Sequence, residues 1–150
     1  MKQKILIEFE RSVNNTEISK KAAKKWIKGV LKELNLKDKG LSLLFSTSDS
    51  IRKLNMEYRG IDKATDVLSF SQLEGDFVIN EDFLGDIVVS IDKAKEQSED
   101  NRITLEEEVF FLVLHGILHL IGYDHDEENT GDMGIIENSI YKKLLGVTIE

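Results

Sequence analysis

The sequence predicts an α+β fold: one domain over residues 1–150, with a small mixed β-sheet of about four strands packed with about five helices. Three observations carry that expectation. All four short apolar segments with strand character fall within the first ninety positions. Helical apolar periodicity dominates from there onward. A chain of 150 residues, 41% hydrophobic and 32% charged, has the size and mixture of a single globular core.

Ile5, Ile7 and Phe9 alternate with other residues and open the chain as a half-buried strand. Thr16 is placed to cap a helix whose buried face uses Ile18, Ala22, Trp26, Val30 and Leu34, with Asn35 to Gly40 ending it. Leu41 to Phe45 reads as the second strand, and Asp49 or Ser48 caps a short helix through Ile51, Leu54 and Tyr58. Val67 to Phe70 is the third strand. Gly75-Asp76 and Asn80 to Asp82 punctuate a hairpin-like connection into Leu84 to Ser90, a fourth strand rich in β-branched residues. Three helices follow, over Asp92 to Glu99, Leu105 to Ile121, and roughly Thr130 to Leu145, where Gly146 is expected to stop the last.

With no cysteine there is no disulfide framework, and any metal must be held by His, Asp or Glu. The opening MKQKILIEFE lacks the apolar core and cleavage site of a signal peptide, and Val109 to Leu114 is the longest apolar run, far short of a membrane span. A cytoplasmic chain with no membrane partner is the expectation. The net charge of −8 argues against broad attraction to phosphate backbones, so DNA is not expected as a partner and any nucleic-acid contact must be local. Lys20, Lys21, Lys24, Lys25, Lys28 and Lys32 crowd one predicted helix and could form a local patch, but read first as a solvated face.

All three histidines lie within eleven residues, in His115-Gly-Ile-Leu-His119-Leu-Ile-Gly122-Tyr-Asp-His125. Thr104 and Glu107 form a capping-box pattern, with Glu106, Glu107 and Glu108 favouring the positive end of the helix they start. Within that helix His115 and His119 are four apart and share a face, their Cβ atoms roughly 5–6 Å from each other. Gly122 can adopt the left-handed conformation that turns the chain back and brings His125 toward the same face. The metal site is thus expected on a central helix and the following turn, holding one Zn²⁺ through His115, His119 and His125. Three nitrogen ligands leave a tetrahedral position open, the mark of a catalytic rather than a structural zinc. The spacing is also that of the long zinc-protease signature, but Gly116 stands where those enzymes carry their glutamate base, so peptide hydrolysis loses its best-defined feature.

The block HGILHLIGYDH from His115 to His125 resembles the hallmark of the YbeY family of bacterial ribosomal-RNA maturation factors. The stretch from Asn55 to Phe70, including Tyr58, Arg59, Asp62, Thr65, Asp66 and Ser69, is similar to the family's other signature, and Leu84-Gly85-Asp86-Ile87 to its short strand-and-turn block. The family pattern usually places a proline after the phenylalanine, whereas Ser71 stands here and the chain has no proline; the turn geometry is where this departure matters. The resemblance implies a single-strand-specific, zinc-dependent endoribonuclease acting in small-subunit (16S) rRNA maturation and ribosome quality control. Its partners would be single-stranded RNA and the ribosomal small subunit, and it implies an important arginine, which maps onto Arg59.

Neutral histidines leave the charge of Zn²⁺ uncompensated, so such a site can lower the pKa of a coordinated water toward about 7 and neutralise a phosphodiester oxygen. Arg59 can hold a second oxygen through its planar fork. Whether that water or the ribose 2′-hydroxyl attacks stays open. Asp66, Asp86 and Asp124 are candidate carboxylate partners for a histidine N–H. Thr65 and Ser69 read as strand-edge residues, and Tyr123 as packing under the helix end. Two other functions fit the same residues: a metal-dependent hydrolase of another substrate class, and a non-catalytic ribosome-assembly factor with a structural zinc.

Overall fold

The computed structural model describes residues 4–13, 17–72, 82–123 and 132–148. They form β1 (Ile5–Phe9), α1 (Lys20–Glu33), β2 (Gly40–Ser46), α2 (Ser48–Arg59), β3 (Val67–Ser71), β4 (Phe83–Ser90), α3 (Ile91–Asn101), α4 (Leu105–Leu120) and α5 (Asp132–Thr148). Four strands make one mixed sheet in the order β1-β2-β4-β3. β1 runs parallel to β2, with Ile5 opposite Leu41, and β2 parallel to β4, with Leu43 opposite Ile87. β3 is antiparallel to β4, pairing Leu68 with Val88 and Ser69 with Ile87. The sheet is therefore the mixed α+β sheet expected. Its parallel pairs need crossovers, which α1 supplies between β1 and β2.

Period-two alternation decides which residues of each strand meet which layer. Leu41, Leu43 and Phe45 of β2 and Ile87 and Val89 of β4 join the main core, packed with α1, α4 and α5. On the other face Leu68 and Val88 meet Ile51 of α2 in a smaller cluster. The middle of α4 is apolar almost all round, from Val109 through Leu114 and on through Ile117, Leu118 and Leu120, as a helix at the centre of a domain must be. Trp26 of α1 meets Phe110 of α4 at 5.8 Å between ring centroids, and Phe110 in turn stacks on Tyr141 of α5 at 5.7 Å. Among the described residues no helix is long and apolar enough to cross a membrane.

Helix boundaries show where local expectation and structure part. α4 starts as the sequence says: the Thr104 hydroxyl accepts from the Glu107 N–H at 3.1 Å, and the Glu107 carboxylate accepts from the Thr104 N–H at 3.2 Å. Thr16 lies outside the described residues, and the cap of α1 is Ser19, accepting from the Ala22 N–H at 3.0 Å. Its buried stripe is Ala23, Trp26, Ile27, Val30 and Leu31, while Ala22 and Leu34 are only partly buried. A strict spacing of four drifts about 40° per step around a helix of 3.6 residues per turn, so a stripe of mixed threes and fours holds the core better. Thr47 caps α2, not Ser48 or Asp49, and Ser90 caps α3 one residue before it begins at Ile91. Gly146 does not end α5, which continues to Thr148; a glycine stops a helix only by turning left-handed, as Gly60 and Gly122 do. The proposed turn residues Gly75, Asp76 and Asn80 lie outside the described residues, yet the antiparallel β3–β4 pairing is that of a hairpin.

Candidate active site

α4 brings His115 and His119 together one turn apart, with ring centroids 4.6 Å apart and their Nε2 atoms 3.0 Å from each other. His115 is fixed from behind. Its Nδ1 lies 2.7 Å from Oε2 of Glu137 on α5, a carboxylate only 6% exposed, and Phe111 packs along the ring at 6.3 Å. An Nδ1–H that donates to a carboxylate leaves Nε2 as the lone-pair nitrogen, which is how ligating histidines are commonly oriented. Two imidazole nitrogens about 2.0–2.1 Å from one tetrahedral zinc stand about 3.3 Å apart, close to the separation seen here. The pair thus fits a metal, with no sulfur ligand available. His125, the third expected ligand, and Asp124 lie outside the described residues; among the described residues there is no group of three or more His, Asp or Glu side chains suited to a metal.

Both histidines face a cleft of about 450 Å³ whose opposite wall is built by β3 and the segment before it, with Arg59, Asp66, Ser69 and Ser71 in its lining. β3 is tied to α4 through two hydroxyls: Ser69 Oγ donates to the Gly116 carbonyl at 3.1 Å and Ser71 Oγ to the Leu120 carbonyl at 2.9 Å. Ser71, which departs from the family pattern's proline, continues the strand, pairing with Gly85. Gly116 is the close-approach point of helix on sheet, since a Cβ there would lie 2.8 Å from Cγ2 of Ile87. That contact accounts for glycine where a zinc protease carries glutamate.

Arg59 is the last residue of α2. Gly60 follows with φ 70° and its N–H reaches the Met56 carbonyl at 3.1 Å, while the Ile61 N–H reaches the Asn55 carbonyl at 3.3 Å, so the chain reverses over the edge of the sheet. Asn55, 5% exposed, holds the returning segment by donating Nδ2 to the Lys63 carbonyl at 2.9 Å. The Arg59 guanidinium crosses to β3 and donates Nη2 to the Ser69 carbonyl at 3.1 Å, which leaves most of its fork of donors turned to the cleft or solvent.

Of the carboxylates expected behind the histidines, the two that are described have other hydrogen-bond partners. Asp66 lines the cleft but accepts from Gln97 Nε2 at 3.2 Å and Thr65 Oγ1 at 3.3 Å, and Asp86 accepts from the Ser42 hydroxyl. Glu137 fills the role instead. It shares a helical stripe with the buried Ile140 and Leu144, so a carboxylate at an otherwise apolar position was the one sequence signal for it. Tyr123 packs against the main core, as expected of it, and Thr65 and Ser69 are cleft-lining rather than simply strand-edge residues.

A family model described as Endoribonuclease YbeY matches residues 7–145. The Endoribonuclease YbeY of Sulfurihydrogenibium sp. (strain YO3AOP1) is 44% identical over 146 residues, covering 95% of this chain and 94% of its own. That of Clostridioides difficile (strain 630) is 49% identical over 108 residues, covering 69% and 71%. Among solved structures, the solution structure of TM1509 from Thermotoga maritima superposes with a TM-score of 0.66 at 26% identity, over 96% of this chain and 91% of that one. With the match to the family model spanning nearly the whole fold and the cleft set between α4 and β3, the chain belongs to the endoribonuclease YbeY family.

Proposed function

We propose that this chain is a metal-dependent endoribonuclease specific for single-stranded RNA, acting in small-subunit (16S) rRNA maturation and ribosome quality control in the cytoplasm. The observation that carries the reading is the convergence of the His115 and His119 Nε2 atoms, 3.0 Å apart, in a cleft that also holds the Arg59 guanidinium, within a chain of this family. His115, His119 and His125 would hold one Zn²⁺, and Glu137 keeps His115 in the tautomer that ligation needs. When bound, the ion supplies Lewis acidity toward a phosphodiester oxygen and toward a water.

The chain's own groups do the rest. Arg59 would bind a non-bridging phosphate oxygen through its guanidinium, so the negative charge growing on the phosphoryl oxygens is met by a preorganised cation. The Gly60 reversal and the Asn55 clasp fix the segment that carries Thr65 and Asp66 along the wall. A cleft closed on one side by β3 suits one unpaired strand better than a duplex, whose paired bases cannot splay into it.

The test combines metal content of the protein as isolated with cleavage of single-stranded RNA, a peptide and a simple phosphodiester by the zinc-loaded protein. A His115→Ala/His119→Ala preparation made in parallel controls for contaminating nuclease. RNA cleavage by the parent alone, with zinc lost from the double variant, is the expected result. Stoichiometric zinc retained by that variant would sink the ligand assignment, and peptide cleavage without RNA cleavage would sink the substrate class.

A further inference from the structure

The lysine face of α1 takes no part in the cleft. Lys21, Lys24, Lys25, Lys28 and Lys32 follow i, i+3, i+4, i+7 and i+11, so they share one side of the helix, and all five are exposed. They span roughly 16 Å of helix at about 1.5 Å per residue. Among the described residues none of the five forms an ion pair; the helix's two ion pairs are those of Lys20 with Glu8 at 3.7 Å and of Glu33 with Lys143 at 2.7 Å.

Local stability does not explain the arrangement. Like charges three and four apart repel along a helix face. The first turn carries no acidic residue and begins with Lys20 and Lys21 at the positive end of the helix dipole, where cations are disfavoured. In a chain of net charge −8, cations concentrated on one face without partners of their own suit a polyanion from outside.

We propose that this face docks the phosphate backbone of RNA lying beyond the segment held in the cleft. The inference rests on the RNA-cleaving reading for the identity of the polyanion. An anionic membrane fits less well, because a basic amphipathic helix binds one by inserting its apolar side, and here Ala23, Trp26, Ile27, Val30 and Leu31 are all at 0–1% exposure in the core. Lysines are point charges with no planar fork, and Trp26 beneath them is too buried to stack on a base, so the contact reads charge spacing and not sequence. One strand of a duplex presents about five phosphates over a span of that length.

Position makes the two surfaces separable. α1 packs on β1 and the cleft is built on β3, and these strands are the opposite edges of the sheet. Three strand spacings put roughly 14 Å between the edges. None of the five lysines lines the cleft, so a tetranucleotide is held there without needing them, whereas a long transcript whose single-stranded segment is flanked by a hairpin reaches both surfaces.

The experiment compares the zinc-loaded parent with Lys24→Gln/Lys25→Gln/Lys28→Gln and with the corresponding triple arginine variant. Each is measured for cleavage of a tetranucleotide, for transcript affinity across a salt series, and for binding to phosphatidylglycerol vesicles. The glutamine variant should cleave the tetranucleotide at the parent kcat/KM but bind the transcript about tenfold to a hundredfold more weakly, with the salt slope reduced by about 2–3. The arginine variant should bind as the parent does. Parent affinity and slope in the glutamine variant would overturn the proposal, as would lost tetranucleotide cleavage or a parent that prefers vesicles to transcript. If the parent cleaves neither RNA while transcript binding still falls in the variant, the docking surface stands and the cleavage reading fails.

Discussion

The buried carboxylate of Glu137 lies 2.7 Å from Nδ1 of His115, joining α5 to α4 across twenty-two residues of sequence. The contact does two things. It provides a partner for a carboxylate that is only 6% exposed, and it turns the opposite ring nitrogen toward His119.

Glu137 is therefore expected to govern metal affinity without ligating the metal. Glu137→Ala should weaken zinc binding by about 10–100-fold, and Glu137→Gln, whose amide oxygen can still accept from Nδ1–H, should weaken it less. Competition against a chromophoric chelator measures both. Unchanged affinity in the alanine variant would mean that packing against Phe111 orients His115 unaided.

Arg59 should serve substrate and not fold. Its bond to the Ser69 carbonyl is solvent-exposed and worth about 1 kcal/mol or less, so Arg59→Ala and Arg59→Lys should unfold near the parent temperature and hold zinc normally. RNA cleavage should fall on the order of 10²-fold or more in the alanine variant, and less in lysine, which keeps the charge but not the fork. Cleavage at the parent rate by Arg59→Ala would remove it from the mechanism; loss of zinc or of folding would make it structural.

Gly116→Ala should destabilise the domain by about 1–3 kcal/mol, since its Cβ would stand 2.8 Å from Ile87 Cγ2 at a packed helix–sheet contact. Gly116→Glu, which restores the zinc-protease spelling, should fare worse still and gain no peptidase activity. The check is a double-mutant cycle in chemical denaturation: the Gly116→Ala penalty should shrink in an Ile87→Ala background. Additive penalties would show that the two residues do not clash.

Glu108, 5% exposed on α4, has its carboxyl pushed above the ordinary range by burial, with the Asn101 amide pulling it down and the charge of Asp66 adding to the rise. A carboxyl whose folded pKa is raised binds its proton more tightly in the folded chain. Its contribution is most favourable below the ordinary glutamate pKa of about 4.3 and is lost as pH rises through the folded value. Glu108→Gln should therefore raise Tm relative to the parent at neutral pH, with the gain vanishing in acid. A gain that is the same at both ends would mean that packing, and not ionisation, sets the difference.

Much of this protein is written locally. The Thr104–Glu107 box starts α4, Gly122 ends it with φ 100°, and the four-residue spacing of His115 and His119 puts both rings on one face before any tertiary contact forms. Strand segments were legible for the same reason: the alternation of Ile5, Ile7 and Phe9 needs only a water-facing and a core-facing side. These are effects of neighbours within about one helical turn, and the sequence states them directly.

What only the tertiary structure decided depends on residues far apart in the chain. Nothing local could choose the order β1-β2-β4-β3, which inserts β4 between β2 and β3, or select Glu137 over Asp66 and Asp86 as the carboxylate behind His115. The cap positions at Ser19 and Thr47 were degenerate as well, because several adjacent Ser, Thr and Asp side chains can each accept from a free N–H. Arg59 reaches the cleft only because α2 lies on one face of the sheet and the Gly60 reversal carries the chain round its β3 edge toward α4 on the other. Such choices are set by burying the most apolar surface while leaving few polar groups unpaired, a condition on the whole packed chain that no window of sequence contains.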